Sequence, residues 1–181
     1  MPRIDRMTRE ITCTLVYDGP ARSGKSTNLR YLHGRARPGS RTSVSWSPDL
    51  DLLALDAGAV SGFRVRFQLY AVSGEEHRSV TRRMILQGAD GVVFVADSQA
   101  RRVDDNLAGW RALDADLDRR LPRVTQFNKQ DLPVGLILAP ADLAEVLGDD
   151  PGRGVPADAL HGSGVFETFD LLSRLVLQQF A

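Results

Sequence analysis

Long apolar runs are missing from this chain of 181 residues. None approaches the ~18 residues that a membrane-crossing helix needs, so no span is expected. The first residues, Met1-Pro2-Arg3-Ile4-Asp5-Arg6, lack the apolar core of a secretion signal and the glycine of a myristoylation site. The last four, Gln178-Gln179-Phe180-Ala181, offer no cysteine to a prenyl group, so no membrane anchor is expected. Cysteine is nearly absent. Cys13 stands alone, forms no internal disulfide, and reads as a small buried residue of a protein kept in a reducing cytoplasm. Net charge is absent too: 23 basic side chains meet 23 acidic ones. That balance gives no electrostatic reason to expect nucleic acid or an anionic membrane surface as a partner. His33, His77 and His161 lie far apart and, with the single cysteine, make no metal-ligand spacing; each reads as a solvated side chain.

What is present begins with Gly19-Pro20-Ala21-Arg22-Ser23-Gly24-Lys25-Ser26, which satisfies G-x-x-x-x-G-K-[ST] at every fixed position. The β-branched, mostly apolar stretch from Glu10 to Tyr17 precedes it, and Ser26 to Leu32 reads as the start of a helix. Strand, glycine loop and helix form the context in which backbone N–H groups converge on phosphate oxygens, helped by the helix N-terminus. The candidate phosphate-binding residues are Gly19, Ala21, Arg22, Ser23, Gly24, Lys25, Ser26 and Thr27, joined by Gly74 from a later loop. Lys25 would reach the β- and γ-phosphates, and the Ser26 hydroxyl would hold Mg²⁺.

Along the rest of the chain, strand and helix patterns alternate. Arg35 to Pro48 is a polar loop, long enough to suggest a functional segment. Asp49–Asp56 and Phe63–Tyr70 read as strands joined by a turn region over residues 57–62, an antiparallel pair at a sheet edge. Ala71 to Arg78 is a second polar loop and Val80–Gln87 a short helix. Gly91–Asp97 is apolar without alternation, as in a central strand covered on both faces. Val103, Leu107, Trp110, Leu113 and Leu117 recur at helical spacing, with Trp110 read as a core residue. Arg123–Phe127 is a further strand. Pro140 opens and Gly148 closes a helix, a last short strand falls within residues 152–161, and Val165 to Phe180 carries the final helix. The pattern predicts one α/β domain over residues 1–181 with a mostly parallel sheet, residues 1–9 being an N-terminal extension.

Asn128-Lys129-Gln130-Asp131 follows a strand and fits N-K-x-D. The Asp131 carboxylate can accept from the N1–H and 2-amino group of guanine, a donor pair that adenine lacks. The Lys129 stem can cover the base plane, and Asn128 can tie this loop to the phosphate loop. Together the motifs imply GTP or GDP as the bound nucleotide.

These two motifs resemble those of Ras-like small GTPases. Phe67-Gln68-Leu69-Tyr70-Ala71-Val72-Ser73-Gly74 is similar to the F-x-L-Y-T-V-P-G of the bacterial MglA type, which regulates gliding motility and cell polarity. Ile85 to Gln99 is similar to that family's strand segment, and Gly162-Ser163-Gly164-Val165-Phe166 to its turn into the last helix. The resemblance runs from about Glu10 to the C-terminus. It implies a six-stranded Ras-like fold with helices on both faces, a GTP/GDP switch using Mg²⁺, and a roadblock-type partner that activates hydrolysis. It also implies that backbone donors of Asp158 and Ala159 face the guanine. The departures bear on rate. Ala21 stands where the family has glycine, near the γ-phosphate. Ala71 replaces the aspartate of D-x-x-G, as in the MglA type, leaving Mg²⁺ to Ser26 with help from Asp49 or Asp51. Glu75 stands where glutamine orients the attacking water. Trp46 and Ser47 align with the family's Arg-Thr pair, so Ser47 is the candidate second Mg²⁺ ligand and Trp46 removes an arginine. Glu75 and Lys25 are the candidate catalytic residues, and slow hydrolysis is the expectation. Two other readings stay open: a hydrolysis-deficient GTP-binding scaffold, and a phosphate-loop kinase or ATPase, which Asp131 disfavours.

Overall fold

The computed structural model describes residues 2–36, 42–72, 74, 79–117, 120–150 and 154–180. Its strands are β1 (Arg3–Asp5), β2 (Glu10–Asp18), β3 (Ser43–Ser45), β4 (Leu50–Val60), β5 (Phe63–Val72), β6 (Gly91–Asp97), β7 (Arg123–Asn128) and β8 (Gly154–Pro156). Its helices are α1 (Lys25–Gly34), α2 (Ser79–Gln87), α3 (Val103–Asp116), α4 (Pro140–Leu147) and α5 (Val165–Leu177). The strands form one sheet in the order β3-β4-β5-β2-β6-β7-β8, with β1 antiparallel to the start of β2. β2 pairs in parallel with β5 and β6, β6 with β7, and β7 with β8; β4 is antiparallel to both β3 and β5. This is the mostly parallel α/β architecture that the alternating pattern implies.

Side-chain alternation splits the core into two layers. From β2, Ile11, Cys13, Leu15 and Tyr17 enter one cluster, where Leu29 and Leu32 of α1 and Val165, Leu172 and Val176 of α5 meet them. Val16 enters the opposite cluster, built with Leu86 of α2, Trp110 and Leu113 of α3, and Leu143 and Leu147 of α4. β6 is buried throughout because it feeds both layers, Val93 and Val95 to the first, Val92, Phe94 and Ala96 to the second. An apolar strand without alternation is the sequence signature of that position.

Two short strands were not expected. β1 lies in the N-terminal extension, and β3 in the polar loop after α1, so the sheet has the six expected strands plus these two. Both pair with three residues only, too few to leave a readable period. The turn between β4 and β5 is also tighter than residues 57–62. β4 runs on to Val60, its register shifts between Asp56 and Ala59, and the turn itself is Ser61-Gly62. Both turn residues have positive φ, 50° and 81°, the backbone that matches strand twist in a two-residue hairpin. Gly58, at φ 91°, marks the irregularity rather than a turn.

Candidate functional site

The carboxyl ends of β2, β6 and β7 carry the site. β2 delivers the loop Gly19–Gly24, which enters α1 at Lys25. Gly19 (φ 136°) and Gly24 (φ 107°) take left-handed backbone that only glycine adopts readily. A Cβ at Gly24 would collide with the Asn128 amide. Arg22 also has positive φ, 63°. Lys25 is buried, and its Nζ donates to the Gly19 and Pro20 carbonyls at 2.9 and 2.6 Å. Burial pulls its pKa down from 10.5 to about 8; Asp18 opposes the shift, and Arg82 and Arg102 add to it. A buried ammonium held by neutral carbonyls gains most from an anion. In the same loop Ser23 Oγ is buried without a hydrogen-bond partner among the described residues. A cavity of about 450 Å³ opens beside Lys25, lined among others by Ser26, Thr27, Ser47, Asp49, Asp51 and Gly74. These features fit a phosphate chain with an accompanying cation.

Gly74 lies against the loop so closely that a Cβ there would meet Ala21 N and, at 2.7 Å, the Pro20 carbonyl carbon. Ser47 lines the cavity, but its hydroxyl is engaged with β4: Oγ donates to Leu50 O at 2.7 Å and accepts from Leu50 N at 3.1 Å. Asp51 accepts from Ser47 N at 3.2 Å. Trp46 turns to α1, packing edge-on to His33 and under Arg30. Glu75 and His77 lie outside the described residues.

The second loop starts where β7 ends. Asn128 Nδ2 donates to Ser23 O at 2.7 Å, and its Oδ1 accepts from Ala159 N at 2.9 Å. One buried side chain thus joins the phosphate loop, the β7 loop and the loop before α5. Lys129 has φ 72° and places its Nζ 2.6 Å from Asp97 Oδ2. Asp131 is exposed, with a carboxylate oxygen near ligand atoms of Asp158 and His161. The backbone donors of Asp158 and Ala159 have partners within the protein: Asp158 N donates to Ser163 O at 2.9 Å and Ala159 N to Asn128. The Asp158 carboxylate caps its own turn, accepting from Leu160 N and His161 N and lying 2.5 Å from His161 Nδ1. His161 is solvated, as expected, and its Nδ1 also meets the Asp158 carboxylate.

Several supporting residues escaped the motifs. Asn28 and Gln126 exchange amide hydrogen bonds of 2.8 and 2.9 Å, Gln126 also donates to Thr168 at 3.0 Å, and Asn28 donates to Gly24 O at 3.0 Å. This buried network braces the first turn of α1 against β7 and α5. The signal was a glutamine in the middle of a predicted strand, between Thr125 and Phe127 and two residues before Asn128. Arg82 of α2 forms a two-pronged pair with Asp18, at 2.9 and 2.6 Å, and reaches Asp116 of α3 at 2.8 Å. Arg102, just before α3, donates to Ala21 O at 2.6 Å.

No helix among the described residues is long and apolar enough to cross a membrane. No protein-family model matches the chain. It is 36% identical over 195 aligned positions to the mutual gliding-motility protein MglA of Myxococcus xanthus strain DK1622, covering 99% of this chain and 97% of that one. It is also 28% identical over 126 positions to the GTP-binding nuclear protein GSP1 of Encephalitozoon cuniculi strain GB-M1, covering 68% of this chain and 57% of that protein. With that identity over almost the whole of both chains, and with a phosphate loop, an Asn128-centred second loop and a mostly parallel sheet, the chain belongs to the MglA family of small Ras-like GTPases.

Proposed function

We propose that the protein is a guanine-nucleotide switch that binds GTP and GDP with Mg²⁺, hydrolyses GTP slowly, and acts in motility or cell polarity. The observation that carries this reading is Asn128. One of its hydrogen bonds ties the base-reading loop to the phosphate loop at Ser23 and the other ties it to the loop before α5 at Ala159, which supports reading both motifs as parts of one nucleotide site. In this reading Lys25 gives its ammonium to the β- and γ-phosphates, and Asp131 accepts from the guanine N1–H and 2-amino group. Ser26, with Ser47 once its hydroxyl leaves Leu50, would hold Mg²⁺, which neutralises charge on the phosphates when bound. Ala21 narrows the space next to the γ-phosphate, and Trp46 supplies no charge there. A carboxylate at Glu75 accepts from water but donates nothing to the γ-phosphate, so unassisted turnover is slow. A roadblock-type partner, as the family resemblance implies, would supply what is missing.

Nucleotide extracted from the purified protein and identified by chromatography tests the specificity: guanine nucleotide is expected, and ATP should not compete with fluorescent GDP. Phosphate release from preloaded GTP tests the chemistry, with and without the partner. A second reading, a GTP-holding scaffold that does not turn over, draws on the same three substitutions. Release that stays undetectable with the partner present favours it.

A further inference from the structure

Asp97 ends β6 and has no place in either nucleotide motif, yet it is buried and held from several sides. Its carboxylate is 1% exposed. Oδ2 lies 2.6 Å from Lys129 Nζ and 3.7 Å from Arg102 Nε. Oδ1 accepts from Gln99 N and Gln99 Nε2, both at 3.1 Å. Its backbone is pinned from α3: Asn106 Oδ1 accepts from Asp97 N at 2.9 Å, and Asn106 Nδ2 donates to Asp97 O at 2.8 Å. A carboxylate fixed at both ends gives the cations that touch it a defined place. Lys129 is one of them, and it needs one. Its backbone is left-handed and its ammonium stands at the end of a flexible four-carbon stem. Arg102, the other, carries its guanidinium on to Ala21 O in the phosphate loop.

We propose that Asp97 is a positioning residue of the nucleotide site. It holds the Lys129 stem over the plane of the purine and, through Arg102, ties that hold to the phosphate loop at Ala21. The inference rests on the guanine-site reading above. It adds a part to that site from a strand that neither motif includes. Ion-pair geometry makes the role specific, because a buried carboxylate favours a cation on one side of itself and Gln99 occupies the other.

The test is release of fluorescent GDP by the full-length protein in Mg²⁺. Asp97→Asn keeps the size of the side chain and the backbone bonds to Asn106 but removes the charge that holds Lys129. Release is expected to quicken by roughly 10- to 100-fold, the cost of losing a charge-assisted hydrogen bond. Lys129→Met alone should quicken release similarly, and Asp97→Asn added to it should change release by less than twofold. A merely structural role would give additive effects. GTP and ITP should weaken by the same factor in Asp97→Asn, since the stem covers a plane common to both. If Asp97→Asn does not fold, Asp97→Glu, with its carboxylate displaced by one methylene, is read in the same way. Release within twofold of wild type, or additivity with Lys129→Met, overturns the inference. Asp131→Ala separates the two layers of the argument. If it leaves guanine affinity unchanged, the guanine-site reading fails; if it weakens affinity while Asp97→Asn does not, only the role of Asp97 fails.

Discussion

Arg82 and Asp18 offer the sharpest test of what holds α2 to the phosphate loop. Asp18 is the last residue before Gly19 and is 2% exposed; Arg82, one turn into α2, is 13% exposed and spans Asp18 and Asp116. Arg82→Met would leave the Asp18 carboxylate buried beside the loop without its guanidinium. Breaking a buried pair in this way costs about 3–5 kcal/mol, because the remaining charge is uncompensated. Asp116 loses less, since Arg83 Nε stays at 3.0 Å. For a chain of this size a loss of that order lowers Tm by about 6–20 °C. Asp18→Asn should also destabilise, but the double variant should recover much of the loss, since removing both charges removes the unpaired one. Urea denaturation followed by circular dichroism measures all three. The nucleotide site supplies a second readout of opposite sign. Asp18 raises the proton affinity of Lys25 and Arg82 lowers it. Nucleotide binding by Asp18→Asn should therefore fail at lower pH than in wild type, and by Arg82→Met at higher pH. Additive destabilisation, or pH profiles that move in the same direction, would refute the pairing as the link between α2 and the loop.

The remaining expectations are shorter. Lys25 has a folded pKa of about 8 against an ordinary 10.5, so between those values the unfolded chain binds more protons than the folded one. Nucleotide-free protein should accordingly gain stability as pH rises from 8 towards 10.5, on the order of 3 kcal/mol in all; saturating GDP should abolish the trend, and melting curves against pH decide it. Burial pushes the Cys13 thiol up to about 12, so it should resist alkylation at pH 8 until urea unfolds the protein, as mass spectrometry would report. Gln126→Leu takes away the donor to Asn28 Oδ1 and Thr168 Oγ1 while Asn28 Nδ2 keeps Gly24 O, and should cost about 1–3 kcal/mol in urea denaturation. Gly74→Ala should impair nucleotide binding far more than Tm, because its methyl group displaces backbone of the phosphate loop; equal losses in both would contradict the close approach.

How far the sequence disclosed this molecule depended on whether a feature is local. The glycine loop, the N-K-x-D turn and the apolar β6 each state their chemistry within a few adjacent residues, and the structure places them at one end of one sheet. Trp110 and Cys13 were legible as core because their neighbours carry the right period. β1 and β3 were not, because three-residue strands borrow their order from the strand they join. The engaged donors of Asp158 and Ala159 were equally hidden, since they depend on partners at Ser163 and Asn128 that no local pattern names. The same holds for Asp18, Asp97 and Gln126, whose meaning lies in cations and amides contributed from distant stretches of chain.

The setting of the two tryptophans has an optical consequence. Trp110 is 7% exposed, packed edge-on against Phe94 and covered by Arg123. Trp46 is 37% exposed and borders the loop between α1 and β4, with His33 and Arg30 as ring neighbours. The chain has no other indole. Its ultraviolet emission therefore divides into a blue component from the interior and a redder one from Trp46, the residue before Ser47 of the cavity lining. Iodide and acrylamide quench the second in preference to the first. A nucleotide that shifts Trp46 away from the His33 ring and the Arg30 guanidinium changes that component alone, so exchange can be followed in real time without attaching a dye.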